Sequence, residues 1–127
     1  MELSFNRDTL SIILDAVVHG PSGKQRVTMV LDTGASNCMI SQNVAMKIGY
    51  DNFEGSEFID VQSASGFIRS PKIMVEGMDV FGSIVKDIDV IVHDLPKGTF
   101  VDGLIGLNFL KHFRLTLDFP NGKLIME

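Results

Sequence analysis

The sequence predicts a small, mostly β protein with one or two short helices, and three observations carry that expectation. Aliphatic and β-branched residues gather in short runs rather than in long stripes of helical period. Turn-forming clusters punctuate those runs, with His19-Gly20-Pro21-Ser22-Gly23 near the start and Pro120-Asn121-Gly122 near the end. Only two stretches combine a cap with apolar residues at helical spacing, and both are short.

In chain order, Thr9 to Val18 reads as the first strand and Arg26 to Leu31 as the second, so the first third forms a hairpin about the Gly-Pro-Ser-Gly turn. Ser41 is suited to cap a helix, Val44 and Ile48 fall four apart on one face of it, and Gly49 can end it. From Lys86 to Val92 the pattern alternates, placing Ile88, Val90 and Val92 on one face and Asp87 and Asp89 on the other. Asn108 is the expected cap of a further turn or two carrying Phe109, Leu110 and Phe113. Arg114 to Phe119 and Lys123 to Met126 then flank an Asn-Gly pair, which accommodates the positive φ of a hairpin turn. With no repeat, low-complexity tract or linker, residues 1–127 are expected to form a single domain.

Composition narrows the classes of function. Hydrophobic residues at 45% and charged residues at 21% support a soluble globular chain with a modest core. No apolar run approaches the roughly 20 residues of a membrane helix. Met1 to Arg7 lacks the apolar stretch of a secretory signal, so the expectation is a cytoplasmic protein without a membrane partner. A net charge of −5, with 11 scattered Lys and Arg, offers no footprint for nucleic acid. Cys38 is the only cysteine, which excludes an intrachain disulfide, leans toward a reducing compartment, and reads as a small buried hydrophobe. His19, His93 and His112 are too dispersed for a ligand set, and Asp87, Asp89 and Asp94 lack the spacing of a calcium loop, so no metal is expected. The seven methionines, among them Met29, Met39, Met46 and Met74, read as core filler.

Chemistry points to Val30-Leu31-Asp32-Thr33-Gly34-Ala35-Ser36. An apolar strand ends in a carboxylate, and the glycine two residues later lets the chain bend tightly around it. Taken alone, Asp-Thr-Gly also describes a solvated aspartate in an ordinary turn of a generic β-barrel. In context, Leu31 to Ser36 resembles the catalytic loop of the aspartic proteases. Gly103-Leu104-Ile105-Gly106-Leu107-Asn108-Phe109-Leu110 resembles the second signature of the retropepsin-like branch, and Phe113 to Phe119 resembles the strand that follows it. Between them, Ser63-Ala64-Ser65-Gly66, set between Phe58 to Gln62 and Phe67 to Val75, is similar to a flap hairpin. The ordered set spans most of residues 25–127.

The resemblance implies a small closed β-barrel-like half of an acid protease with a flap hairpin and one or two short helices. One Asp-Thr-Gly, in a chain too short for two lobes, implies a homodimer with an Asp32 from each copy meeting on the two-fold axis. Two carboxyls about 3 Å apart share a proton, so one activates water while the other polarises the peptide carbonyl. Water is then the nucleophile and no cofactor is implied. By the same resemblance Asp32 is the catalytic residue, Thr33 locks the loop to its partner, and Gly34 permits the loop geometry. Ala35 and Ser36 line the cleft, where an extended peptide or protein substrate adds as a strand. Ser63, Ala64, Ser65, Gly66 and Phe67 form the flap over that substrate, while Leu104, Ile105 and Gly106 pack behind the catalytic loop. The hairpin Arg114 to Met126 and the segment Met1 to Asn6 are candidates for the dimer interface.

Departures from the viral pattern are informative. Many viral members have an acidic residue where Ser36 stands and an arginine where Leu107 stands; both are absent here, and the flap is poorer in glycine. The chain is therefore closer to cellular or bacterial members. Two functions follow: an aspartic endopeptidase cutting extended segments with apolar residues near the scissile bond, or a catalytically weak or inactive module for dimerisation or peptide binding. Asp102 is an alternative intrachain partner for Asp32, although no second Asp-Thr/Ser-Gly loop surrounds it.

Overall fold

The computed structural model describes residues 1–63 and 66–127. Twelve elements follow in order: β1 (Glu2–Ser4), β2 (Ile13–Gly20), β3 (Gly23–Leu31), β4 (Cys38–Ile40), α1 (Gln42–Lys47), β5 (Glu57–Ser63), β6 (Gly66–Val80), β7 (Ser83–Val92), β8 (Gly103–Ile105), α2 (Leu107–Leu110), β9 (Leu115–Asp118) and β10 (Lys123–Met126). The predicted mostly β class with two short helices holds.

Six strands close into a barrel in the order β2-β3-β8-β4-β7-β6, and β6 returns to β2 through Val17↔Asp79, Val18↔Met78 and His19↔Gly77. Closure removes the free edges that an open sheet of this size would expose. Alternation supplies the core: Leu14, Ala16 and Val18 of β2, Val27 and Met29 of β3, and Ile88, Val90 and Val92 of β7 point inward and are buried. Phe109 and Ile105 join them with no exposed surface. Met29 and Met39 fill the core as expected. Met46 and Met74 do not; they are 53% and 56% exposed, because α1 buries the Val44, Ala45 side and β6 turns Ile73 and Val75 inward.

The first hairpin forms about Pro21 and Ser22, but its strands shift. The first begins at Ile13 rather than Thr9, because the Thr9 hydroxyl bonds to the carbonyls of Asn6 (2.8 Å) and Ser11 (2.7 Å) and holds this stretch in a turn. In α1, Ser41 Oγ accepts the Val44 amide at 3.2 Å, Ile48 is buried, and Gly49 takes φ 109°. Both helix-end expectations are met. In α2 the cap is Gly106 and not Asn108, whose side chain is used elsewhere.

β6 is long because it serves two structures. Residues 66–72 pair with β5 as a hairpin standing off the barrel, and from Lys72 onward the strand pairs with β7. The hairpin root is tied down by Lys72 Nζ, 3.2 Å from Glu57 and 4.0 Å from Asp89, and by Ser70 Oγ, 3.2 Å from His93 Nδ1. A separate antiparallel sheet, β1-β10-β9, forms around the Pro120-Asn121-Gly122 turn, where Gly122 adopts φ 62°. The N-terminal segment finds a strand partner within its own chain, through Leu3↔Leu124, and β1 and β9 are the outer strands of this sheet. Among the described residues no helix is long and apolar enough to cross a membrane.

Candidate active site

The Asp32 loop is held by a chain segment threaded through it. β3 enters the loop, β4 leaves it, and β8 runs between them, parallel to β3 (Leu31↔Ile105) and antiparallel to β4 (Met39↔Leu104). Such insertion requires backbones to approach closely. Gly103 satisfies it, since a Cβ there would overlap the Met39 carbonyl. Asp32 extends the β3–β8 ladder by donating its amide to Ile105 O at 3.0 Å.

Beyond that point the loop closes on itself. The Gly34 amide donates to Asp32 Oδ1 at 2.9 Å, and the Ala35 amide to Asp32 O at 3.2 Å. The first turn of α2 then grips the loop from behind, with the Leu107 amide on Ala35 O (2.8 Å) and the Asn108 amide on Ser36 O (3.2 Å). Asn108 departs from its expected capping role for a reason: its Oδ1 accepts the Cys38 amide at 2.8 Å while its Nδ2 donates to Asp89 O at 2.8 Å. One side chain thereby fastens β4, β7 and α2 together. The Cys38 thiol, which accepts the Gly106 amide at 3.3 Å, is pushed up to about 11 by burial, so it stays protonated at neutral pH.

Asp32 is half-buried and lies between two cavities. One, of about 470 Å³, is a cleft lined by Asp32, Gly34, Ala35 and Ser36, by the barrel residues Met39, Ile91 and Leu104, and by Ile59 to Gln62 of β5. The other, of about 430 Å³, is lined by Asp32 and Thr33 with the apolar Leu10, Ile12, Leu117 and Phe119 and the polar Asn6, Arg7, Thr9 and Ser11. Leu10 is fully exposed there and Phe119 is 55% exposed. One carboxylate oxygen is fixed by the Gly34 amide, and Oδ2 takes no hydrogen bond from the described residues, leaving it open to a water molecule.

The structure brings Asp32, Gly34, Ala35 and Ser36 to the cleft and turns Thr33 toward the other cavity. Gly66 and Phe67 sit at the far end of the β5–β6 hairpin, where Gly66 pairs with Ser63, and among the described residues neither lines the cleft; Phe67 is exposed. Ala64 and Ser65 lie outside the described residues. Asp102 is engaged elsewhere: its carboxylate accepts the Thr28 amide at 2.8 Å and its own amide donates to Thr28 O at 2.6 Å. Sequence reasoning missed Asn37, Met39, Ile59, Asp60, Val61, Gln62 and Ile91 as cleft residues, and it placed Leu104, which also lines the cleft, behind the loop. Two-residue alternation along Phe58 to Gln62 marks Ile59 and Val61 as one face, but only pairing to the barrel decides which way it points. Among the described residues, no group of three His, Cys, Asp or Glu could hold a metal ion.

Comparison with known proteins agrees with this geometry. Residues 19–112 match the family described as gag-polyprotein putative aspartyl protease. A crystal structure of a retropepsin-like aspartic protease from Rickettsia conorii superposes with a TM-score of 0.72 at 23% identity, covering 99% of this chain and 88% of that one. A Sinorhizobium protein named as an uncharacterised protein in the cobV 5′ region is 29% identical over 84 residues. That match covers 66% of this chain and only 35% of the Sinorhizobium protein.

Proposed function

The chain belongs to the gag-polyprotein aspartyl protease family, and from that premise we propose that it is an aspartic endopeptidase whose active form is a homodimer. The observation that supports this reading is the position of Asp32, one Asp-Thr-Gly loop per chain, lining both a substrate-sized cleft and a second open cavity of mixed polar and apolar residues. A lone carboxylate can activate water but leaves the carbonyl oxygen without an acid. A second copy, docked over Leu10, Ile12, Leu117 and Phe119, supplies that acid by bringing its own Asp32 loop to the two-fold axis.

In this assembly the ionised Asp32 takes a proton from water, and the resulting hydroxide attacks the peptide carbonyl carbon. The protonated Asp32 of the other copy donates to the carbonyl oxygen as charge develops on it. Collapse of the tetrahedral diol breaks the C–N bond, with a proton delivered to the leaving nitrogen. Gly34 keeps the carboxylate accessible, since a Cβ there would stand 3.2 Å from Asp32 Oδ1. Thr33 faces the partner side and joins the loops, Ala35 and Ser36 offer backbone to an extended substrate, and the β5–β6 hairpin, from Ser63 through Gly66 to Phe67, acts as the flap. No metal or organic cofactor takes part.

The test is cleavage of a mixed peptide library between pH 4 and 7 by the parent and by Asp32→Asn, with sedimentation of both. Cleavage that disappears in a variant still dimeric is the expected result. A folded dimer that cuts nothing at any pH overturns the enzyme reading in favour of a peptide-binding module; a strictly monomeric protein overturns the dyad.

A further inference from the structure

The sheet β1-β10-β9 ends on a strand whose outer edge meets no other strand, and the ladder settles which backbone groups that edge presents. Arg114 and Glu127 exchange both backbone hydrogen bonds, each at 2.9 Å, so they form a hydrogen-bonded pair of the antiparallel ladder. Such pairs alternate along a strand, so Thr116 with Ile125 and Asp118 with Lys123 are bonded in the same way. Leu115 and Leu117, between them, turn their N–H and C=O groups away from β10. No hydrogen bond from the described residues reaches those groups. Their side chains lie on the barrel face of the sheet, with the buried Leu124 and Met126, and Leu117 also lines the cavity that holds Asp32 and Thr33.

Arg114, Thr116 and Asp118 alternate with the leucines and share the other face. Arg114 closes no ion pair among the described residues, although Glu127 stands across from it in its own chain. Asp118 takes hydrogen bonds from Asn121, and Lys123, its neighbour across the ladder, instead donates from Nζ to Ser4 Oγ at 3.2 Å.

We propose that a second copy docks by pairing its β9 antiparallel to this β9, with Thr116 of both copies on the two-fold axis. The proposal rests on the dimeric protease reading and specifies how that dimer is built. Pairing about Thr116 sets Leu115 against Leu117 of the second copy and Leu117 against its Leu115, so the outward groups of all these leucines close hydrogen bonds. The same register sets Arg114 against Asp118 of the second copy, once on each side of the axis, and so gives the free cation a carboxylate. The β1 edge offers no such match. Met1 and Met126 exchange backbone bonds there, which leaves Glu2 and Ser4 facing outward, and pairing about Leu3 joins no opposite charges. With the axis normal to a continuous six-stranded sheet, both barrels sit on one face of it. Each brings its Asp32 cavity toward the axis, and neither β9 keeps an open edge.

The two Thr116 residues then form a non-hydrogen-bonded pair with Cα atoms about 4.5 Å apart, within the span of a disulfide. Thr116→Cys is expected to cross-link to its own copy under mild oxidation, and Ser4→Cys on the β1 edge is not; Cys38 is buried and takes no part. Non-reducing electrophoresis, with mass spectrometry of the linked peptide, reads the result. Arg114→Glu is expected to weaken dimerisation about tenfold in sedimentation at low salt, and adding Asp118→Lys to restore it. A parent that sediments as a dimer while Thr116→Cys stays unlinked overturns the pairing, as does an Arg114→Glu dimer of parental affinity. Peptide cleavage in the same samples tests the reading beneath it. Linked Thr116→Cys dimers that cut nothing count against the protease alone, an active dimer without the link counts against the pairing alone, and a strictly monomeric parent overturns both.

Discussion

Replacing Gly106 by alanine tests how the Asp32 loop is held. Gly106 has φ −102°, an ordinary backbone conformation for any residue, so alanine meets no conformational penalty there. Space is the obstacle. A Cβ would stand 2.5 Å from Asn37 O, 2.6 Å from Asn37 C and 2.9 Å from Ala35 O, where ordinary contact begins at 3.4 Å. All three neighbours are backbone atoms of the Asp32 loop, so none can swing aside as a side chain would. Relief requires the loop to withdraw by about 0.9 Å, the difference between 3.4 and 2.5 Å. Overpacking of this kind costs about 1–3 kcal/mol, a fraction of the about 5–15 kcal/mol that holds a domain folded, so the protein still folds. The Leu107 amide bond to Ala35 O is strained at the same time, and a displacement near 1 Å in a catalytic loop lowers turnover by as much as about 100-fold. Urea unfolding reads the first effect as a lower midpoint at unchanged slope, and peptide cleavage reads the second. Gly77→Ala is the control, since its Cβ would meet only Val85 O at 3.7 Å and His19 Cδ2 at 3.8 Å. A Gly106→Ala protein as stable and as active as Gly77→Ala would refute the reasoning.

Asn108→Leu removes the acceptor of the Cys38 amide and the donor to Asp89 O, and is expected to cost about 2–4 kcal/mol in urea unfolding, whereas a loss below about 0.5 kcal/mol would deny Asn108 its bridging role. The Cys38 thiol ionises near 9 when unfolded and at about 11 when folded, so its contribution is full below pH 9 and falls as pH rises to 11, at about 1.4 kcal/mol per unit. Comparing urea midpoints of the parent and Cys38→Ala across that range isolates this slope, because the other titrating groups cancel; parallel curves would contradict it. Leu10→Glu combined with Phe119→Glu alters exposed side chains on the open face beside Asp32, so the fold should survive, while sedimentation gives a monomer and cleavage is lost. An active dimer from that double variant would place the interface elsewhere. Asp118, held below the usual carboxylate range by the side-chain and backbone hydrogen bonds of Asn121, should return toward it in Asn121→Ala when followed by carboxyl NMR.

Local chemistry was legible in the sequence wherever it depends on neighbours in the chain. Ser41 with Val44, Ile48 and Gly49 encodes α1, Pro120-Asn121-Gly122 encodes the last hairpin, and Leu31 to Ser36 encodes a carboxylate on a strand-ending turn. Each of these is decided within a few residues, by capping, side-chain period or backbone freedom. The family resemblance came from the same short motifs.

Only the tertiary structure decided what those motifs meet. Cys38–Ile40 and Gly103–Ile105 are too short to declare themselves as strands; they exist because β8 fills the gap between the arms of the Asp32 loop. Asn108 looked like a cap, and the distant Cys38 amide and Asp89 carbonyl drew its side chain away. Met1 to Asn6 was a candidate for the dimer interface, and that Glu2–Ser4 of this segment pairs with β10, from the other end of the same chain, was not legible in either stretch alone. A sequence fixes the groups a segment can offer, but which of them are satisfied, buried or left free depends on partners that only long-range closure of the barrel brings within reach.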